Sequence, residues 1–418
     1  MTVATALRLA YPRALAILVR LVSDLGRAED LLQEAATRAT ERWREVGVPQ
    51  HPAAWLVRAA RNLHIDDARR HRVAKRYLAL AHPEASVDPE EPGLRDAMLR
   101  LIFTCCHPAL SPEAQVALTL KAVAGLTVEE TARAFLVPTK TMEQRITRAK
   151  RRIRESGAPY EIPSELERPA RLNAVMAVLH LIFNEGHSAT GDGPPIRQEL
   201  CHLAIGRARL LLRLHPMHAE LEGLVALFLL THARTPSRLG ADGELVRLDR
   251  QDRRRWNPVE IAEGLALLEQ ALRRGRPGPY QLQAAISAVH CRARRYEDTD
   301  WTEIVKLYDA WCAIAPSPIV SLNRAVAVSR LEGPAEGLRL LDALAEEPAL
   351  VRGHAFFAAR AALFEELGEA AAATGSFRDA AARATNPAER EYFAKQLRRL
   401  ASEVGPGASE KNAENLDE

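Results

Sequence analysis

Residues 126–154 hold two runs of helical period separated by a proline, and that pairing restricts what the chain can build. Thr127 has the residue type of an N-cap, with Glu130 three positions later as a capping-box partner. Val128, Thr131, Ala132 and Phe135 then recur at helical spacing. Val137-Pro138 stops that run, because proline lacks a donor and pushes its predecessor out of the α region. A second helix is predicted over 139–154, with Met142, Ile146, Ala149 and Ile153 on one face. Lys140, Arg145, Arg148, Lys150, Arg151, Arg152 and Arg154 supply its charge. Two arrangements fit these residues. One is a helix-turn-helix whose second helix enters a DNA major groove; the other is a surface hairpin with a solvated basic face.

The rest of the chain favours helix as well. Ala, Leu, Arg and Glu dominate, aromatics are 5%, and runs of strand-forming residues are missing, so the expected fold class is all-α. The net charge of +3 hides an asymmetry. Residues 1–157 carry 25 basic and 18 acidic side chains, a balance of +7; the remainder carries 32 and 36, a balance of −4. The first third is therefore the part suited to a polyanion. The five cysteines, Cys105, Cys106, Cys201, Cys291 and Cys312, form neither a C-x-x-C pair nor a framework, which suggests a reduced, cytoplasmic protein. No signal peptide is expected at the start, and no run approaches the ~18 apolar residues of a membrane helix, so no membrane partner is expected.

In chain order, helices are expected over 7–23, 27–46 and 53–77. The second buries Leu31, Leu32, Ala35, Ala39 and Trp43, and shows Glu29, Asp30, Gln33, Glu34 and Arg38 on its other face. The third is rich in arginine, with Trp55 beside Arg58, Arg61 and Asn62, next to a proline-bounded loop at 47–52. A solvated face is one reading of such a helix; stacking and phosphate contact with opened single strands is the other. Residues 79–93 read as an acidic, proline-rich linker. Two more helices, 94–108 and 111–126, lead into the opening stretch.

Three motifs in this order, RAEDLLQEAATRATERW, PAAWLVRAARNLHIDDARRHR and LSPEAQVALTLKAVAGLTVEETARAFLVPTKTMEQRITRAKRRI, resemble the sigma-70 family of bacterial RNA polymerase factors. The likeness is to the extracytoplasmic-function (ECF) type, which keeps only regions 2 and 4. It implies a factor that binds core RNA polymerase, through the β′ clamp helices and the β flap, and directs promoter-specific initiation on promoter DNA. By the same resemblance Asp30, Leu31, Gln33 and Glu34 would grip β′. Trp55, Arg58, Arg61 and Asn62 would read the −10 element, and Thr139, Lys140, Met142, Glu143, Arg145 and Arg148 the −35 element. Glu143 and Gln144 depart from the usual pattern, so the preferred −35 sequence does not carry over. The alternative is a TPR-type DNA-binding regulator or scaffold that never joins polymerase; residues 1–78 discriminate, since such a protein has no use for a polymerase grip and a −10 reader.

The resulting domain plan is region 2 at 1–78, a linker at 79–93, region 4 at 94–157, a linker at 158–170, a helical extension at 171–275, TPR-like repeats at 276–404 and a polar tail at 405–418. The TPR-like reading rests on small residues at helix crossings with a proline every ~34–40 residues. HLIFNEGHSA, DRQDRRRWN, GPYQLQAAISAVH and PSPIVSLNRAVAV resemble the extension of one ECF subgroup, with His187 where relatives usually have Tyr. Asn184, Glu185, Gly186, Asp252 and Trp256 form a candidate extension motif. Gly186 is expected as a left-handed helix C-cap and residues 238–257 as a surface loop. Asn184, Glu185, His187, Asp249, Asp252 and Trp256 read as a cap and a salt-bridged loop rather than a catalytic set. No H-E-x-x-H or paired cysteine ligands occur, so no enzyme activity, metal or cofactor is expected. The extension is expected to regulate the factor through intramolecular contact with the sigma regions.

Overall fold

The computed structural model describes residues 2–70, 92–135, 137–157, 160–161, 163–164, 167–189, 193–240 and 243–403. The fold is all-α, as expected. It divides into two compact units, Met1–Ile182 and Phe183–Glu418. Most of the 79–93 linker, the whole 405–418 tail and the end of the helix expected over 53–77 lie outside the described residues.

The first unit opens with α1 (Val3–Val22), α2 (Leu25–Val46) and α3 (Pro52–Arg70), which pack mutually. Alanines at the crossings (Ala14, Ala28, Ala35, Ala39 and Ala60) let the helices approach closely around Leu15, Leu18, Leu32 and Leu56. The break between α1 and α2 falls at Ser23, in the left-handed conformation, and at Asp24, whose carboxylate accepts from Arg27 N at 2.8 Å. Gly26 is helical. Next come α4 (Pro92–Cys105), α5 (Pro112–Ala122), α6 (Val128–Ala134) and α7 (Thr139–Glu155). The expected capping box exists: Glu130 N donates to Thr127 Oγ1 (3.1 Å) and Thr127 N to Glu130 Oε2 (2.8 Å). Met142, Ile146, Ala149 and Ile153 are all buried. Cys105 and Cys106 are buried core residues. Tyr160 ties this unit together, its hydroxyl shared between the carbonyls of Ala16 (3.1 Å) and Ala97 (3.0 Å).

The division between units falls inside α8 (Arg168–His187). The second unit continues with α9 (Gln198–Leu214), α10 (Ala219–His232), α11 (Pro258–Leu272) and α12 (Pro279–Arg292). Helix α10 is buried along nearly its whole length, Leu221 to Leu230, and packs on α9, α11 and α12. Its sequence is apolar all round because it has no solvent face. Then α13 (Trp301–Ile314), α14 (Pro318–Glu332), α15 (Pro334–Asp342), α16 (Pro348–Val351), α17 (His354–Glu366), α18 (Ala370–Arg383) and α19 (Pro387–Glu403) follow. Neighbours in sequence pack on one another (α13 on α14, α14 on α15, α17 on α18, α18 on α19), the way repeat proteins build a core. Close crossings use glycine: a Cβ on Gly337 would meet Ser329 Cβ at 2.4 Å.

Two expectations about this unit are corrected. Gly186 is not a left-handed cap. It lies inside α8, and a Cβ there would meet Cys201 N at 2.7 Å, so glycine serves the approach of α9. Residues 238–257 are not a plain surface loop. Short 3₁₀ turns at Thr235–Ser237, Leu248–Arg250 and Arg253–Arg255 fold it inward onto Trp256, which is 4% exposed.

Candidate nucleic-acid interface

Helix α7 presents its polar side to solvent because its apolar stripe is consumed by α5 and α6. Lys140, Glu143, Gln144 and Arg148 are exposed, and Thr139 and Arg145 half-buried. Arg145 holds its guanidinium over the Phe135 ring at 5.3 Å, which fixes a long side chain at the mouth of the turn. Arg148 Nε donates to Gln144 O at 3.3 Å. Beside this helix an open groove of about 610 Å³ is lined by Ser111, Glu113, Arg145, Arg148, Arg151 and Arg152. Four guanidiniums on one groove wall make a surface for phosphodiester oxygens. Met142 does not belong to the reading face. It is 0% exposed, and as the apolar residue facing α5 and α6 it supports the helix without reaching a base.

On α2, Asp30, Gln33 and Glu34 are exposed together, with Glu34 paired to Arg38 at 2.7 Å. Leu31 is 3% exposed, so it packs inward and offers no contact surface. On α3, Arg58 and Asn62 are exposed and Trp55 and Arg61 half-buried. Trp55 stands edge-on to Trp43, ring centres 5.5 Å apart, which anchors its indole on α2.

Sequence reading missed Glu29. It sits on the apolar stripe of α2 between Leu25 and Leu32, at helical spacing, and that position was the available signal. It is 1% exposed and meets Lys150 of α7 at 2.5 Å and Lys121 of α5 at 3.6 Å. Arg154 reaches Asp24 at 3.6 Å, and Arg8 pairs with Glu130. The ammonium of Lys121 also lies 5.4 Å from the Tyr11 ring centre. Within the first unit, α2 therefore touches both α3 and α7, the helices that carry the two candidate readers.

In the second unit the candidate motif is dispersed. Asn184 is exposed and Glu185 half-buried on α8, and Gly186 is packed against α9. Asp252 is exposed and pairs with Arg254 at 3.0 Å, while Asp249 pairs with Arg247 at 3.2 Å. Trp256 is buried and donates Nε1–H to Ser237 Oγ at 2.7 Å. Among the described residues no His, Cys and carboxylate group of three or more could hold a metal ion. No helix among them is long and apolar enough to cross a membrane.

Comparison with known proteins bears on these surfaces. Residues 7–74 match the family described as Sigma-70 region 2, and residues 100–153 match Sigma-70, region 4. Residues 171–272 match a family of unknown function, DUF6596. An uncharacterized protein of Rhizobium meliloti is 45% identical over 413 residues, covering 96% of both chains. A probable ECF RNA polymerase sigma factor, SigI, of Mycobacterium tuberculosis is 31% identical over 144 residues, which is 33% of this chain and 49% of that protein. No solved structure matches the chain. Two sigma regions in the right order, each with its polar face free, and a further helical family behind them lead to one conclusion: the chain is an ECF-type sigma-70 factor with a C-terminal extension, a protein that joins core RNA polymerase and directs transcription initiation at promoter DNA.

Proposed function

We propose that the Asp30–Gln33–Glu34 face of α2 grips the β′ clamp helices, and that Trp55, Arg58, Arg61 and Asn62 on α3 capture opened bases of the −10 element. Lys140, Glu143 and Arg148, with Thr139 and Arg145 at the helix start, read the −35 duplex while region 4 sits on the β flap. The observation that carries this reading is the exposure of all three polar faces once the apolar backs of α2, α3 and α7 are packed. Arg148→Ala is expected to weaken binding to a −35 duplex by about 1–3 kcal/mol, with a smaller salt slope. Asp30→Ala with Glu34→Ala is expected to weaken core polymerase binding. Unchanged affinity for core in that double variant sinks the assignment of the α2 face.

The docked unit adds a requirement. Elements centred about 25 base pairs apart are separated by roughly 85 Å of duplex at 3.4 Å per step. Two readers that share α2 as a neighbour do not span that distance, so the contacts of Glu29 with Lys121 and Lys150 open when both elements are engaged. The extension controls this step through contact with the sigma regions, and the protein acts in the cytoplasm without catalytic chemistry of its own. Run-off transcription with core enzyme, comparing the full chain with Glu29→Gln, tests the opening step: equal promoter occupancy and equal compactness in scattering sink it.

A further inference from the structure

The second unit contains a cluster of cations in which Arg234 and Arg238 meet no carboxylate. The C-termini of α8, α10 and α12 contribute to one locality, where His187, Arg234, Arg238, Arg253 and His290 interact electrostatically around Trp256. Helix C-termini present open carbonyls and a negative dipole end, and part of the cluster uses them. Arg238 donates to His187 O, and Arg253 donates to His290 O (2.6 Å) and Ala293 O (2.8 Å). Arg234 has no such acceptor. Its guanidinium lies 5.5 Å from the Trp256 ring centre, and its Nε is buried without a hydrogen-bond partner. The Nδ1 atom of His187 is buried and partnerless too.

No carboxylate among the described residues forms an ion pair with Arg234, Arg238 or Arg253, although Glu297 and Asp298 act on Arg253 from beyond ion-pair distance. Glu260 is committed to His232 Nδ1 at 2.9 Å, and Asp252 to the exposed Arg254. A buried guanidinium without an anion is expensive, and carbonyl dipoles do not neutralise its charge. Burial, and after it the charge of Arg234, brings the affinity of Arg238 for its proton down to about 10. Arg234 and Arg238 keep a little exposed surface as residues, while the Nε of Arg234 itself is closed off from solvent.

We propose that Arg234 and Arg238, with Arg253 beside Trp256, form an anion site in the extension that receives a phosphate group. Guanidinium forks match phosphate oxygens in pairs, and a dianion balances more of this charge than a single carboxylate does. The extension is on this account a receptor for free phosphate or for a small phosphate monoester.

The test uses the full chain and thermal unfolding. Inorganic phosphate and glycerol phosphate are titrated separately, with acetate and with sodium chloride at matched ionic strength. A saturable rise in Tm is expected, about 5–10 °C at a hundredfold excess over Kd. A larger effect of glycerol phosphate assigns the site to a monoester, and a larger effect of phosphate to the free ion; either result upholds it. Arg234→Met removes an unanswered charge, so its ligand-free Tm is expected to hold while the phosphate shift disappears. Arg254→Gln, on the surface, keeps the shift. Should Arg234→Met fail to fold, Arg234→Lys retains the charge without the fork and is expected to bind phosphate at least tenfold more weakly. No saturable rise, an equal rise with acetate or chloride, or a rise that survives intact at position 234 overturns the proposal.

Discussion

Two buried charge clusters, one in each unit, are held in opposite ways. In the first, Glu29 is enclosed by Lys121 and Lys150, so a carboxylate on an apolar stripe is answered twice by ammonium groups. In the second, Arg253 and Arg238 are answered by backbone carbonyls and Arg234 by an aromatic ring alone. The difference separates two uses of buried charge. A matched pair fixes which helices dock, because any other register leaves an ion stranded. A set of like charges held by dipoles fixes helix ends and keeps its net charge for something else.

The largest effect expected from breaking this contrast is at Glu29. Glu29→Ala leaves two lysines facing each other without an anion and is expected to cost about 3–5 kcal/mol in the stability of the first unit. Amide exchange in α2 and α7 is the measurement, since both helices lose the tie. Exchange unchanged in α7 would show that the docking does not rest on this carboxylate. Next is Arg253→Ala, which opens the carbonyls of His290 and Ala293 and leaves Thr299 Oγ1 without its donor at 3.3 Å. Charged hydrogen bonds of this kind are worth about 1.5–3 kcal/mol each before compensation by water, so a loss of about 3 kcal/mol in the second unit is expected. Calorimetry of the full chain reads it as a lowered transition for one unit alone.

Acid acts on both units, through His180 in the first, where burial lowers the proton affinity to about 4, and through two histidines in the second. Burial, then Arg234 and Arg253, lowers the proton affinity of His290 to about 3. Burial, then Arg238, Arg234 and His232, holds His187 well below its ordinary value. An unfolded histidine titrates near 6.5, so between that value and the folded one the unfolded chain binds more protons. The stability contributed by these neutral imidazoles is complete above about pH 6.5 and is lost as the pH falls toward 3. Each contributes a slope approaching 1.4 kcal/mol per pH unit, which gives about 2 kcal/mol for the pair one unit below 6.5 once partial titration is allowed for. Tm measured at pH 7, 6 and 5 is expected to fall for the second unit, and His290→Gln to flatten that fall.

Much of this was legible in the chain. The capping box, the proline stop and the buried stripe of α7 are local, and local rules located them. The exposed halves of the reading faces followed from period alone. Met142 and Leu31 were misread for a common reason: a motif inherited by resemblance includes residues that support a helix as well as residues that touch a partner, and only burial separates them. Glu29 was grouped with its exposed neighbours, although its spacing from Leu25 and Leu32 puts it on the inner face. Its lysines come from positions 121 and 150, and sequence gives no register between distant helices. Gly186 has the residue type of a cap, but the need for it arises from Cys201 across a helix crossing. The 238–257 segment is polar in composition, and composition does not reveal that two helix ends, those of α8 and α12, accept from its arginines.

Ser237→Ala is a smaller test inside the second unit. It leaves the Trp256 indole N–H buried without an acceptor and removes the donor to Arg234 O at 3.0 Å. A cost of about 1–2 kcal/mol is expected, together with a shift in Trp256 fluorescence. If the indole only fills space, the cost is near zero and Arg234 and Arg253 keep their positions.

The smallest effect sharpens the contrast most, because it sits one residue from a large one. Arg253, Arg254 and Arg255 are consecutive, and composition treats them alike. Arg253 turns inward to the α12 C-terminus, while Arg254 is 91% exposed at its side chain and holds only Asp252. An ion pair in open water loses most of its Coulomb energy to screening and to the entropy of two ordered side chains. Arg254→Ala is therefore expected to leave the Tm of both units unchanged, in low and high salt, where Arg253→Ala lowers one of them. Equal losses at the two positions would mean that the stretch acts through its total charge. In that case the carbonyl contacts of Arg253 would count for little, and the distinction drawn between the two units would rest on Glu29 alone.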